Sequence, residues 1–206
     1  RDDSELITEL PYRGISQALI RAHIPYIPVN INDIEKEATN LSALILPDIG
    51  SFSLKQADDI RNYVNKGGGL FATGDTSLYD EWGDALEDYR LSDLFNAHSL
   101  KRENTSRRKS SSESLHTYLR LTPEMRALFD GPRANIKAPA GTTRHPVLKG
   151  FDETDIISFG GALNKIKAEP PATVLMTFIP EFPVYPPETA WMREPVTDIP
   201  GLIVSE

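Results

Sequence analysis

The chain has 206 residues, 39% of them hydrophobic, and its 22 Lys+Arg against 30 Asp+Glu give a formal charge of -8. Length and apolar content suit a single compact domain over 1–206, while the acidic balance disfavours nucleic acid or an anionic membrane as partner. The complete lack of cysteine rules out disulfides, thiolate catalysis and Cys-ligated zinc or iron–sulfur centres.

No run approaches the roughly 20 apolar residues that a spanning helix needs, and RDDSELITEL lacks the basic-then-apolar order of a signal peptide. The compartment, cytoplasmic or periplasmic, stays open. A start on Arg1 and a strand-like GLIVSE at the end lead to the expectation of a fragment of a longer polypeptide.

Tyr12 to His23 places Ile15, Leu19 and Ile20 at helical spacing and stops before Pro25. PYIPVNI (Pro25 to Ile31) is a strand candidate, with prolines suited to an edge or a strand start. IEKEA reads as a short helix and ALILP (Ala43 to Pro47) as a fully buried strand. Ser53 and Gln56 then form an S-x-x-Q capping box, Ala57, Ile60 and Val64 make an apolar stripe, and Gly67, Gly68 and Gly69 stop the helix. Strand Leu70 to Thr73 follows, completing a βαβ unit.

Beyond Gly74 the rhythm breaks into polar loop, with short helices near Leu91 to Phe95 and Pro123 to Phe129. Strands resume at Asp155 to Gly161, Thr173 to Ile179 and Gly201 to Ser205. The expected fold is α/β, three-layered, around an open and mostly parallel sheet. Residues 98–118 form a polar excursion, with six bases and two acids between Lys101 and Arg120. Eight of the 16 prolines fall between Pro170 and Pro200, predicting an extended loop or arm over 170–200.

A parallel sheet places ligands beyond the carboxyl ends of its strands. There the sequence reads GDTSLYDEWGD, its densest set of functional groups. Asp75 and Thr76 can hold a ligand or cap the turn. Tyr79 and Trp82 can stack on a sugar or pack beneath the loop, and Asp80 and Glu81 can bind hydroxyls, a cation or an arginine, or simply face solvent. Asp75 with Asp80 or Glu81 has the composition of a glycosidase acid pair, without sequence proof of the spacing. His145, in TTRHPVLKGFDE, is either a structural residue or a further catalytic candidate.

No G-x-S-x-G, G-x-G-x-x-G, phosphate loop or H-E-x-x-H is present. The glycine run precedes a strand and so is a helix stop. His23, His98, His116 and His145 are scattered. No metal site and no cofactor are expected.

ALILPDIGSFSLKQADDIRNYVNKGGGLFATGDTSLYDEWG, with the later HPVLKGF, resembles the β-galactosidase trimerisation domain of family 42-type glycoside hydrolases, which has a class I glutamine amidotransferase-like fold. The resemblance spans roughly Leu41 to Gly83 and His145 to Phe151. It implies a flavodoxin-like sheet beside a TIM-barrel glycosidase domain, supporting a trimer or dimer and edging the active-site mouth, in a bacterial carbohydrate-metabolising protein. True glutamine amidotransferases carry a catalytic cysteine after the strand corresponding to Leu70 to Thr73. Gly74, Asp75 and Thr76 stand there instead, so glutaminase chemistry is excluded. The resulting expectation is a non-catalytic accessory or oligomerisation domain, with a small-sugar hydrolase or a carbohydrate-binding module as alternatives.

Overall fold

The computed structural model describes residues 8–100, 117–126, 144–151, 154, 156–159, 165–179 and 198–206. The chain divides into two compact units, Arg1–Leu94 and Phe95–Glu206.

In the first unit, helix α1 (Leu10–Arg21) ends as its last backbone groups are taken up by Ala22, and His23 turns the chain at φ 56°. None of its residues is buried. Leu10, Tyr12 and Ile20, then Ile24, Tyr26 and Ile27 beyond it, present apolar side chains to solvent. The strand expected over Pro25 to Ile31 does not form. Pro25 and Pro28 have no N–H to donate to a ladder, which weakens any pairing of this short segment.

A short helix α2 (Ile34–Glu37) inserts Ile34, with Ala38 behind it, into the core. Strand β1 (Ala43–Pro47), helix α3 (Leu54–Asn65) and strand β2 (Gly69–Thr73) make the expected βαβ unit. The two strands pair in parallel, from Ala43 opposite Gly69 to Pro47 opposite Thr73.

The capping box forms as read. Ser53 Oγ accepts from Gln56 N at 3.2 Å, and Gln56 Oε1 accepts from Ser53 N at 2.8 Å. The buried stripe is Ala57, Ile60 and Tyr63, whereas Val64 is only half-buried. Tyr63 is drawn in because its hydroxyl donates to Leu41 O at 2.9 Å and its ring lies over the backbone of Gly68. A Cβ at Gly68 would stand 2.2 Å from the ring, so this glycine makes room as well as stopping the helix.

Among the described residues of the second unit, strands β3 (Ala97–Ser99), β4 (Thr117–Leu121), β5 (Ile156–Phe159), β6 (Ile166–Ala168), β7 (Thr173–Ile179) and β8 (Pro200–Val204) pair in antiparallel fashion. The order β5-β4-β7-β8 makes a four-stranded sheet, and β3 pairs with β6. The expectation of a mostly parallel sheet therefore gives way to a mixed α/β architecture with parallel and antiparallel pairing.

Leu121, Leu148, Leu175 and Met176 form a buried cluster against which Leu119, Met125, Ile157, Leu202 and Val204 pack. Short helices α4 (Ser92–Phe95) and α5 (Pro123–Arg126) fall within the predicted ones, and Pro146–Leu148 makes a 3-10 turn. Of the polar excursion, residues 101–116 lie outside the described residues; of the proline-rich arm, 180–197 do.

Replacing Ser53 by Ala removes the hydroxyl half of the capping box. An urea titration followed by helical circular dichroism is expected to show a loss of about 1 kcal/mol for the first unit.

Candidate functional site

Both strands of the βαβ unit end in left-handed backbone, with Asp48 at φ 56° after β1 and Gly74 at φ 62° after β2. The two exits are tied together. Asp48 Oδ1 accepts from Asp75 N at 2.6 Å, and Asp48 N donates to Thr73 Oγ1 at 3.1 Å. A Cβ at position 74 would fall 2.3 Å from Asp48 Oδ1, so glycine is required by contact as well as by torsion.

Asp75, Thr76 and Ser77 then run inward and are 3%, 1% and 0% exposed. Thr76 Oγ1 lies 2.6 Å from Thr73 O and 3.1 Å from Leu46 O, sharing its one proton between two carbonyls. Ser77 adopts φ 69°; its N donates to Ile49 O at 2.9 Å and its O accepts from Arg90 N at 2.8 Å. Its Oγ accepts from Leu91 N at 3.2 Å.

The chain next lies beside the segment leaving β1. Tyr79 N donates to Gly50 O at 3.0 Å and Tyr79 O accepts from Phe52 N at 3.2 Å. Tyr79 is bridged in parallel to Ser51 and antiparallel to Ala85, and Leu86 N donates to Leu78 O at 2.9 Å. Residues 79–85 thus form a small hairpin-like turn. At its tip the Asp80 carboxylate accepts from Trp82 N and from Asp84 N, both at 2.9 Å, while Asp80 N donates to Asp84 O at 2.9 Å. Gly83, at φ 88°, closes the turn by donating to Asp80 O.

Glu81 approaches the Arg90 guanidinium at 3.7 Å, and the Arg90 side chain is only 11% exposed. Trp82, by contrast, is 86% exposed. Where the loop returns, Arg61 of α3 binds the Asp93 carboxylate through two nitrogens, at 2.8 and 3.0 Å, and donates to Arg90 O. This pair holds Asp93 below the ordinary carboxylate value and raises Arg61, chiefly through their hydrogen bonds.

Asp75, Thr76, Tyr79, Asp80, Glu81 and Trp82 thus all belong to one excursion at the carboxyl end of β2. His145 belongs to the second unit. There it caps the 3-10 turn, its Nδ1 accepting from Val147 N at 3.2 Å, and its Nε2 lies 3.7 Å from Glu206 Oε1. Asp48, Ser77, Arg61 and Arg90 shape the loop and were not singled out by sequence reasoning. The DIGS turn after β1 is a sequence signal for Asp48; the partners of Arg61 lie about 30 residues away and leave no local pattern. Among the described residues, no group of three His, Cys, Asp or Glu side chains is placed to hold a metal ion, and no helix is long and apolar enough to cross a membrane.

No family model matches the chain, and no curated protein matches it. Among solved structures, a β-galactosidase from Bifidobacterium adolescentis aligns with a TM-score of 0.38 at 14% identity, over 81% of this chain and 64% of that one. The mmIFT52 N-terminal domain aligns with a TM-score of 0.41 at 8% identity, over 80% of this chain and 64% of that one. This chain thus spans 64% of the length of each. At these values the likenesses assign neither a family nor an activity.

Gly74→Ala is expected to cost about 2 kcal/mol or more, from the left-handed torsion and the clash with Asp48, read as a lower denaturant midpoint. The Arg61–Asp93 pair stabilises above the ordinary Asp value of 3.8, and that contribution is lost as pH falls through the depressed folded value. Because the Asp93 side chain is 53% exposed, the effect is discounted to a few tenths of a kcal/mol. Asp93→Asn should narrow the stability difference between about pH 6 and about pH 3 in thermal melts.

Proposed function

We propose that this chain is a non-catalytic accessory domain of a glycoside hydrolase, acting through contacts with an adjoining TIM-barrel domain and with further copies of itself, as a trimer or dimer. The observation that carries the reading is the loop after β2. Two of its acids are engaged in holding the loop: Asp80 accepts from the amides of Trp82 and Asp84, and Glu81 faces Arg90. A reacting acid pair would need two carboxyl groups turned toward a shared substrate bond. The sequence resemblance over Leu41 to Gly83 and His145 to Phe151 supplies the glycosidase context.

A second reading, a carbohydrate-binding or small-sugar hydrolytic site built from Asp75, Thr76, Tyr79 and Trp82, is favoured by the exposed indole at the carboxyl end of the parallel pair. Incubating the chain with aryl β-galactosides and a panel of other aryl glycosides separates the two. The expected result is no turnover above that of Asp75→Ala. Turnover abolished by that substitution would overturn the accessory reading in favour of a hydrolase.

A further inference from the structure

Strand β6 has one edge with no strand beside it among the described residues. Leu100 N donates to Lys165 O at 3.1 Å and Glu169 N donates to Asn96 O at 2.8 Å, with Lys167 opposite His98 between them. Residues 165, 167 and 169 therefore turn their backbone groups toward β3, and the alternation of an antiparallel ladder turns the N–H and C=O of Ile166 and Ala168 the other way. Such an edge is a template for another chain.

The same edge borders a cleft. Asn96 Nδ2 donates to Ser205 Oγ, which ties the end of β6 to the end of β8. Toward the other end, a cleft of about 390 Å³ is lined by Ile166 and Ala168 together with Leu100, Val174, Ile199 and Pro200, a volume comparable with small-molecule sites of roughly 300–1,000 Å³. Charge at its mouth is uneven. On the exposed face of β6, Lys167 Nζ lies 2.6 Å and His98 Nε2 3.4 Å from the Glu169 carboxylate, so that acid is already matched. Lys165, exposed on the same face, has no counter-ion among the described residues, and Asp198 belongs to the β8 side of the cleft.

We propose that the outer edge of β6 receives an extended segment of a partner protein as an added strand, with apolar residues entering the cleft and an acidic residue between them on the lysine face. Each feature selects one property of this occupant. Outward N–H and C=O groups on a strand edge require an extended backbone. Residues opposite Ile166 and Ala168 share their half-buried face and must be apolar, whereas the residue between them stands opposite Lys167, in diagonal reach of Lys165, and gains from a carboxylate. This contact goes beyond the accessory reading and does not depend on it.

The test titrates the isotopically labelled 206-residue chain with the peptide acetyl-Thr-Val-Glu-Val-Thr-amide, followed through the backbone amide resonances of Ile166 and Ala168. Saturable shifts of both amides are expected, and exchanging the peptide's glutamate for lysine should weaken binding by about threefold or more. N-methylation of alternate peptide amides, either at both valines or at the glutamate and threonines, should abolish binding in one pattern and spare it in the other. In Lys165→Glu the preference between the two peptides is expected to reverse. Ala168→Pro removes an outward N–H without touching the bonds to β3 and should weaken the glutamate peptide. Because Lys165 is exposed, Lys165→Glu keeps the test decisive even if the proline variant does not fold.

Binding that survives both methylation patterns would mean association by charge or apolar contact without strand pairing, and would overturn the proposal. So would an absence of shifts at Ile166 and Ala168 at millimolar peptide, or an affinity indifferent to glutamate against lysine. Glycoside turnover by the chain would remove the accessory reading without altering this binding result, so the two can fail separately.

Discussion

The first unit depends on the bond between Asp48 and the amide of Asp75. Two parallel strands leave their sheet side by side, and their exits would ordinarily diverge into independent loops. Here a carboxylate from one exit takes the first amide of the other at 2.6 Å, and Gly74 removes the Cβ that would obstruct it. Once the exits are joined, Asp75, Thr76 and Ser77 enter the interior, where the Leu46 and Ile49 carbonyls accept from Thr76 and Ser77 and the amides of Arg90 and Leu91 donate to Ser77. Tyr79 then continues the pairing alongside Ser51 and Phe52.

This construction bears on chemistry. A loop that spends polar groups on its own support has fewer to offer a substrate, and Asp80 is the clearest case. What the loop presents outward is an apolar ring framed by charge. That arrangement is what the proposed accessory reading draws on. Arg61 adds to the rigidity from below by clamping Asp93 and the Arg90 carbonyl at the point of return.

The second unit rests on other physics. Among its described residues the strands pair antiparallel, and Leu121, Leu148, Leu175 and Met176 form a buried cluster on which Met125 of α5 and side chains of β4, β5 and β8 pack. His145 contributes there by closing a turn whose Leu148 is fully buried. Its Nδ1 accepts from Val147 N at the start of that turn.

Local signals in the sequence determined the βαβ unit: ALILP as a buried strand, Ser53 and Gln56 as a capping box, the glycine run as a stop and LFAT (Leu70 to Thr73) as the second strand. These features involve residues within a few positions of one another, where spacing and torsion preference act directly. The sequence also marked the loop from Asp75 to Trp82 as the chemically richest segment, through composition alone. Tertiary structure decided what each of its groups does. Whether Asp80 faces a ligand or its own turn, whether Trp82 packs or projects, and which carbonyls receive Thr76 depend on partners up to 30 residues away along the chain. It likewise decided strand direction in the second unit, because an alternating or apolar run predicts a strand but carries no mark of its neighbour's direction.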